Sequence, residues 1–321
     1  MRAPASGAPT VELYAAALEM SGWADEHGAT AIVLSEHYGA DDGHVPTPLL
    51  LAAAIAARTT RVGIVLAAVV LPFYDPVRLA EDICVLDILS RGRAMHVLGI
   101  GHRSDEYEHF GLDVGDRGRL ADEKLDFLLR LLRDRKVIDG DRAVRVSPRP
   151  LHAEGPPLLI GGGSVAAARR AGRHGLGLMA QANPPGLRQA YEEACRLHGH
   201  EPGHVRLPDP AAPTVVFVAD DPEQAWDELG PHILHDAVAA ASYRPGDDND
   251  NVASITRATT IGELRRPGSP YRVLCREDAA DVVRDGGLLP LLPLCGGLDV
   301  EFAWRYLGYT AEALERGRCT P

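Results

Sequence analysis

The stretch VGIVLAAVVLPFYDPVRLAEDICVLDILSRGRAMHVLGI, residues 62–100, contains two short apolar runs separated by a longer amphipathic run. Residues 62–70 and 94–100 are largely apolar, which is typical of strands buried on both faces of a parallel sheet. Asp75, followed by proline, is a helix start signal, so we predict a helix over residues 76–89. Two parallel strands need such a crossover connection. The stretch therefore predicts an α/β protein with a parallel sheet.

The same alternation continues along the rest of the chain. Further strands are predicted at residues 31–34, 157–160, 176–179, 214–218 and 288–292, and further helices at residues 11–27, 48–58, 119–134, 165–174, 187–198, 222–241, 276–284 and 300–316. Glycine-rich or polar turns follow most of the strands, and no linker separates two cores. The pattern favours a single (β/α)₈ TIM barrel over residues 1–321, with reactive groups at the carboxyl ends of the strands.

Three segments depart from this alternation. Residues 136–156 carry Asp-Gly-Asp between two short β-type runs, which predicts a hairpin inside an insertion. Residues 244–270 are polar and rich in turn formers, so they form either a mobile lid or a disordered excursion. Residues 1–9 are poor in β formers and interrupted by proline, so the first barrel strand is expected to be missing or degenerate. Either this segment replaces the strand poorly, a partner covers the gap, or the true start lies upstream.

The composition argues against several classes of function. The chain has 321 residues and a formal net charge of −12, without a block of lysine or arginine that would bind nucleic acid. Its apolar stretches fall short of the roughly 18 residues that cross a bilayer, and its start lacks the apolar core of a signal peptide. Five cysteines without CxxC spacing argue against a disulfide framework and a structural zinc site. We therefore expect a soluble cytoplasmic protein that binds neither nucleic acid nor membrane.

Polar residues that directly follow predicted strands are the candidates for chemistry. They include Ser35-Glu36-His37, His102-Arg103 and the turn Gly161-Gly162-Gly163-Ser164. His37 has a side chain that exchanges a proton near neutral pH, and its neighbour Glu36 is placed to orient it or to take part itself. A single histidine at a strand end is more often structural, so both interpretations are open. A metal site is not expected, because neither HxH nor HExxH spacing is present.

The turn at residues 161–164 joins a predicted strand to an alanine-rich helix. Such a turn presents backbone N–H groups and the positive end of a helix dipole, which bind phosphate. Three glycines also permit a tight turn without any ligand, and the spacing is neither GxGxxG nor that of a Walker loop. The residues alone leave phosphate binding and a purely structural turn equally open.

Several motifs together resemble one enzyme family. Leu34-Ser35-Glu36-His37, residues 67–72, 75–82, 86–93 and 98–101, Glu106-Tyr107, Phe110-Gly111, the turn at residues 161–164 and residues 293–297 resemble the bacterial luciferase-like, flavin-dependent monooxygenase family. The resemblance covers most of residues 11–316. It implies a (β/α)₈ barrel that holds reduced FMN, or in many relatives the deazaflavin coenzyme F-420, at the carboxyl ends of the strands.

The resemblance also implies roles for individual residues. His37 matches the active-site histidine near the flavin ring and is the predicted catalytic residue. Ala67 and Ala68 match a non-prolyl cis peptide behind that ring, and Ser164 matches a position in the phosphate-binding loop. The predicted cofactor-binding set is Glu36, Ala67, Ala68, His102, Arg103, Gly162, Gly163 and Ser164.

Three hypotheses of function follow from the residues and the resemblance. The leading one is a monooxygenase that uses reduced FMN, supplied by a flavin reductase, and O₂ on a small-molecule substrate. The second is a hydride-transfer oxidoreductase that depends on coenzyme F-420. The third is a catalytically silent flavin-binding barrel, because the first strand is missing and Ile100 stands where relatives often have arginine. Because Ile100 stands at that position, the resemblance implies under every hypothesis that a phosphate contact from arginine comes from Arg103 or is lost.

A homodimer is a further expectation. Luciferase-like barrels commonly form dimers, and the alanine-rich helix at residues 48–57 is suited to close packing against a second copy. Burial of the same helix within the monomer explains the same pattern.

Overall fold

The computed structural model describes residues 1–134, 136–152, 155–209, 211–243 and 255–318. The helices are α1 (Thr10–Glu26), α2 (Pro48–Arg58), α3 (Pro76–Ser90), α4 (Ser104–His109), α5 (Arg117–Arg133), α6 (Val165–Arg173), α7 (Leu187–Leu197), α8 (Pro222–Ser242), α9 (Ile261–Leu264), α10 (Arg276–Arg284) and α11 (Val300–Arg318). The strands are β1 (Ala31–Leu34), β2 (Gly63–Val70), β3 (Ala94–Gly99), β4 (Val137–Asp139), β5 (Arg142–Val144), β6 (Leu158–Gly161), β7 (Gly177–Met179), β8 (Val205–Arg206), β9 (Val215–Ala219) and β10 (Tyr271–Cys275).

The main sheet has six parallel strands in the order β1-β2-β3-β6-β7-β8. At least one helix lies between each of these strands and the next along the chain, as parallel pairing requires. A second parallel sheet pairs β9 with β10. The strands β4 and β5 form an antiparallel hairpin inside the predicted insertion at residues 136–156.

Contacts divide the chain into two compact units. One comprises Met1–Ala17, Ala40–His44 and Pro208–Pro321, and it contains β9 and β10. The other comprises Leu18–Gly39 and Val45–Leu207, and it contains the six-stranded sheet. The single domain expected over residues 1–321 stays a prediction. In the part of the chain that the structure describes, no helix has the length and apolar character needed to cross a membrane.

The stretch at residues 62–100 forms the predicted strand–helix–strand unit. β2 and β3 pair in parallel, with Ile64 opposite Ala94. Asp75 begins α3 by accepting the backbone N–H groups of Val77 and Arg78, which the first turn of a helix otherwise leaves unpaired. The apolar face of α3 is buried and includes Leu79, Ile83 and Leu86.

The predicted strand at residues 288–292 is wrong. Among the described residues of this segment, Leu291 alone forms a bridge, to Val216. Pro290 and Pro293 flank the bridge, and proline lacks the N–H that a β ladder needs. The segment therefore lies beside β9 without becoming a strand.

Two strands and two short helices were missed in the sequence. The strand β10 pairs with β9, and Arg272 in its middle interrupts the apolar run that signals a buried strand. β8 has only two residues, and α4 and α9 are short. Of the predicted lid or disordered excursion at residues 244–270, residues 244–254 lie outside the described residues, and the remainder includes α9.

Residues 1–9 form no strand, which agrees with the expected loss of the first barrel strand. Side-chain contacts hold this segment instead. The guanidinium of Arg2 is 4% exposed and pairs with Asp42 at 2.7 Å and with Asp236 at 3.0 Å. The same group donates to the hydroxyl of Tyr243 at 2.9 Å. A buried cation requires such partners, because an unpaired charge is costly in the interior.

Candidate functional site

The predicted site residues meet at one edge of the main sheet. The strands run in parallel, so their carboxyl ends lie on the same side. Glu36 and His37 follow β1, His102 and Arg103 follow β3, and the glycine turn follows β6. This is the edge at which parallel α/β proteins place their reactive groups.

His37 is hydrogen-bonded to a buried carboxylate on α4. Its Nδ1 atom lies 3.0 Å from Oε1 of Glu106, whose side chain is 1% exposed. The backbone N–H of Tyr38 donates to the same oxygen at 2.9 Å, and the guanidinium of Arg103 lies 3.3 Å away. Together these donors compensate the burial of the Glu106 charge.

The hydrogen bonds of Glu106 determine the tautomer of His37. An ionised carboxylate only accepts hydrogen bonds, so the Nδ1 atom of His37 carries the hydrogen and donates it. Any proton that His37 exchanges with a bound ligand therefore passes through Nε2.

Arg103 and His102 occupy the rim of the site. The guanidinium of Arg103 forms ion pairs with Asp105 and Glu106, so carboxylates already engage it. The ring of His102 lies edge-on to that of His37, with 6.1 Å between the centroids. Their predicted contacts to a cofactor stay predictions.

Glu36 is buried beside the end of β2. The hydroxyl of Tyr74 donates to its Oε2 at 3.0 Å, and the backbone N–H of Val70 lies 3.4 Å from the same oxygen. Burial raises the pKa of Glu36 to about 7, while the nearby hydroxyls of Tyr38 and Tyr74 lower it in part. The Oε1 atom has no hydrogen-bond partner among the described residues.

Small residues of three neighbouring strands lie close together near this edge, and we call them the small-residue patch: Ala67, Ala68, Gly99 and Gly161. The peptide bond between Ala67 and Ala68 is cis, as the resemblance implies. A Cβ added at Gly99 would lie 2.9 Å from the Ala68 Cβ, and one at Gly161 would lie 3.5 Å from it. No side chain larger than a methyl group rises from these four positions, which suits a planar ring.

The turn after β6 presents backbone donors at the start of α6. The N–H of Gly162 donates to the carbonyl of Met179, so it is engaged within the fold. The N–H groups of Gly163 and Ser164 have no such bond among the described residues. Ser164 caps α6 by accepting the N–H of Ala167 at 3.2 Å, and its hydroxyl hydrogen can still be donated. This arrangement suits a phosphate at the positive end of the helix.

An aromatic cluster lies beside His37 and consists of Tyr38, Phe73, Tyr107 and Phe110. The rings of Phe73 and Phe110 stack with 4.6 Å between their centroids. The ring of Tyr38 packs edge-on against both of them. The ring of Tyr107 packs against that of Phe73, with 4.8 Å between the centroids. Phe110 is 39% exposed, so the cluster offers a partly exposed apolar surface.

Glu106, Tyr38 and Tyr74 were not predicted as site residues. Glu106 appeared only in a motif of the resemblance, although an acidic residue in the first turn after β3 is a recognisable signal. Tyr38 and Tyr74 follow strands directly or within four residues, which is also where reactive residues occur. Extending the candidates from the residues directly after each strand to the polar residues of the following turn and helix would have included them.

A model of the luciferase-like monooxygenase family matches residues 2–289. The chain is 30% identical over 232 residues to 4-hydroxyprotoasukamycin monooxygenase of Streptomyces nodosus subsp. asukaensis, covering 66% of this chain and 61% of that protein. It is 29% identical over 199 residues to the oxygenase component of flavin-dependent trigonelline monooxygenase of Acinetobacter baylyi, covering 59% and 53%. The chain spans about half to three-fifths of the length of the curated relatives that it matches.

Solved structures of low sequence identity share the fold. Monooxygenase RslO1 of Streptomyces bottropensis matches with a TM-score of 0.76 at 23% identity, covering 98% of this chain and 96% of that one. The oxygenating constituent of 3,6-diketocamphane monooxygenase of Pseudomonas putida, in complex with FMN, matches with a TM-score of 0.65 at 17% identity, covering 97% and 93%. These likenesses confirm the predicted luciferase-like (β/α)₈ fold class.

Proposed function

The chain belongs to the luciferase-like monooxygenase family, and from this premise we propose that it is a monooxygenase that uses reduced FMN and O₂ to transfer one oxygen atom to a small organic substrate. The observation that supports this proposal most is the small-residue patch at the same sheet edge as the His37–Glu106 pair. The patch suits a flat ring, and the pair supplies an oriented proton donor or acceptor beside it.

The described residues fit FMN at both of its ends. Ala67, Ala68 and the adjoining glycines of the small-residue patch would lie against the ring. Gly163 and Ser164, at the start of α6, would hold the phosphate. When bound, FMN supplies the redox chemistry and the activation of O₂.

Protein groups would orient the substrate, exclude water and move protons. Glu106 holds His37 in one tautomer, so His37 exchanges protons through Nε2. The aromatic cluster, which begins at Tyr38 directly after His37 in the chain, presents apolar rings that would favour an apolar substrate and limit the access of water.

Partners and location belong to the same proposal. The relative from Acinetobacter baylyi is named an oxygenase component, which supports a separate flavin reductase as the source of reduced FMN for this chain.

A homodimer would bury the apolar side chains of Leu50 on α2 and of Val85 and Leu89 on α3, which are 73%, 42% and 47% exposed. A cytoplasmic location agrees with the four described cysteines, which are free thiols.

Anaerobic titration of the chain with reduced FMN and with reduced F-420 tests the cofactor. We expect saturable binding of FMN, with a dissociation constant in the micromolar range, and weaker binding of F-420. Mixing the FMN complex with ¹⁸O₂ and candidate substrates should then give labelled product. Tight binding of F-420 without affinity for FMN would replace the proposal with hydride transfer, and binding without turnover of any substrate would favour the silent barrel.

The variant Ala68→Leu tests the small-residue patch. Its longer side chain would occupy the surface next to Gly99 and Gly161, so we expect FMN affinity to fall on the order of tenfold or more. Ala143→Leu, on the exposed strand β5, is the matched control and should bind FMN like the parent. Thermal unfolding of both variants separates lost affinity from lost folding. Equal affinity in the two variants would contradict a ring site at this patch.

A further inference from the structure

Three polar side chains form a connected line next to the His37–Glu106 pair. The Tyr38 hydroxyl donates to the Tyr74 hydroxyl at 3.3 Å, and the Tyr74 hydroxyl donates to Oε2 of Glu36 at 3.0 Å. Both hydroxyls therefore donate in the same direction, towards the carboxyl group. Tyr38 is partly exposed, whereas Glu36 is 3% exposed. The line thus leads from the surface of the site to a buried acid.

The Glu36 carboxyl group is poorly suited to a permanent negative charge. Its Oε1 atom is buried and has no partner among the described residues, and the Val70 N–H is distant at 3.4 Å. The groups that face it include the two tyrosine hydroxyls and the like charge of Glu106. The cationic group of Arg103 and the ring of His37 are bonded to Glu106. Burial raises the pKa of Glu36 to about 7, which agrees with this geometry.

The surroundings keep the two tyrosines in place. Phe73 and Phe110 lie edge-on to the Tyr38 ring, at 5.6 and 4.7 Å between centroids. Lys124 on α5 donates from Nζ to the carbonyl of Tyr74 at 2.8 Å, and it holds the turn before Tyr74 in the same way through Pro72. These contacts hold the Tyr38 ring and the backbone of Tyr74 in place, as a defined path for a proton requires.

We propose that Tyr38, Tyr74 and Glu36 form a proton relay, separate from the His37–Glu106 pair, in which Glu36 stores a proton inside the site. When Glu36 gives its proton to a basic group of a bound ligand, Glu36 becomes a carboxylate. In one concerted transfer, the Tyr74 hydroxyl proton then moves to Oε2, the Tyr38 proton moves to Tyr74 and a solvent proton moves to Tyr38, so that no tyrosinate is formed. The net result is one proton moved from solvent to the ligand, with all three residues restored. The identity of the ligand rests on the proposed function, whereas the relay itself does not.

Infrared spectroscopy of the full chain without cofactor tests the stored proton. We expect a protonated-carboxyl band at neutral pH that Glu36→Gln removes. In Tyr74→Phe the band should persist to higher pH, because a hydroxyl that stabilises the carboxylate has been lost. A parent protein without such a band at neutral pH, or a band unchanged by Glu36→Gln, would overturn the proposal.

The rate at which the Glu36 proton exchanges with deuterium tests the path of the proton. After transfer into D₂O, the shift of the Glu36 band reports the exchange of its proton. We expect exchange on the order of tenfold slower in Tyr74→Phe and in Tyr38→Phe than in the parent. Tyr309→Phe on α11 is the matched control, and its exchange should equal that of the parent. Exchange in Tyr74→Phe as fast as in Tyr309→Phe would overturn the relay.

Turnover provides a separate readout that distinguishes this inference from the proposed function. With reduced FMN, Tyr74→Phe should lower kcat and leave the FMN dissociation constant unchanged. A chain that binds no FMN would contradict the proposed function, and the two infrared measurements would still decide the relay.

Discussion

The Nδ1 atom of His37 lies 3.0 Å from Oε1 of Glu106, although 69 positions separate the two residues in the chain. One residue follows β1 and the other belongs to α4, which follows β3. The parallel sheet brings their elements together because both lie after the carboxyl ends of strands. The buried carboxylate then gives the imidazole one orientation and one tautomer.

Glu106→Gln should lower kcat on the order of 10- to 100-fold, with little change in FMN affinity. An amide can still form hydrogen bonds to His37 and to the backbone of Tyr38, but it carries an NH₂ donor as well as an acceptor, so it no longer holds the imidazole in one tautomer. Steady-state kinetics and flavin titration measure the two effects. Glu108→Gln, on an exposed position of the same helix, should behave like the parent. Full activity in Glu106→Gln would show that the pair has no part in turnover.

His96 lies in the middle of β3, and its burial predicts that the free energy of unfolding falls in acid. Its ring is fully buried, neither nitrogen has a partner among the described residues, and burial lowers its pKa from 6.5 to about 4. The unfolded chain therefore binds a proton between pH 6.5 and pH 4 that the folded chain does not, so the free energy of unfolding falls as the pH falls through this window. The loss from this group is about 2 kcal/mol at pH 5.

His96→Leu should remove this part of the pH dependence. Denaturant unfolding at pH 7.5 and pH 5 measures it, and the difference between the two pH values should be about 2 kcal/mol smaller in His96→Leu than in the parent. His198→Leu, at an exposed position after α7, should retain the parent's difference. The prediction is contradicted if both variants keep the same dependence on pH.

The exposed apolar face of α2 and α3 predicts self-association. Leu50→Lys combined with Leu89→Glu places charges on this face, and we expect the dimer to dissociate into monomers with unchanged thermal stability of the fold. Sedimentation velocity over a range of concentrations measures the change. Leu197→Glu alters a residue on α7 that is 80% exposed and should leave the association state as it is. A parent that is monomeric at every concentration would disprove the dimer.

The fold was largely predictable because buried parallel strands leave a strong local signal. The runs that become β1 and β2 are continuous and apolar, and the Asp-Pro pair before α3 marks a helix start. The strand β10 was missed because Arg272 interrupts its apolar run. Residues 288–292 resemble a strand because leucines make the run apolar, but Pro290 within it lacks the N–H that a ladder needs.

The site was predictable only where its residues form local motifs. His37 and the glycine turn are visible in short stretches of sequence, and the resemblance assigned the cis peptide at Ala67 and Ala68. The hydrogen bonds from His37 to Glu106 and from Tyr74 to Glu36 join residues far apart in the chain. Such pairs depend on how strands align and side chains pack, which local patterns do not encode.

Ser164→Ala distinguishes a phosphate site from a purely structural turn. The hydroxyl caps α6, so its loss should lower the free energy of unfolding by about 1 kcal/mol in either case. If the turn also holds phosphate, FMN affinity should fall on the order of tenfold while the affinity for riboflavin, which has no phosphate, stays the same.

Thr260→Ala is the matched control for this comparison, because Thr260 caps α9 by accepting the N–H of Glu263 at 3.3 Å. Thr260→Ala should lower the free energy of unfolding by a similar amount and leave the affinities for FMN and riboflavin unchanged. Titration of each variant with FMN and riboflavin gives the four dissociation constants needed. If Ser164→Ala loses the same affinity for FMN and for riboflavin, the variant disturbs the site generally. In that case the turn at residues 161–164 would connect β6 to α6 without a specific contact to phosphate.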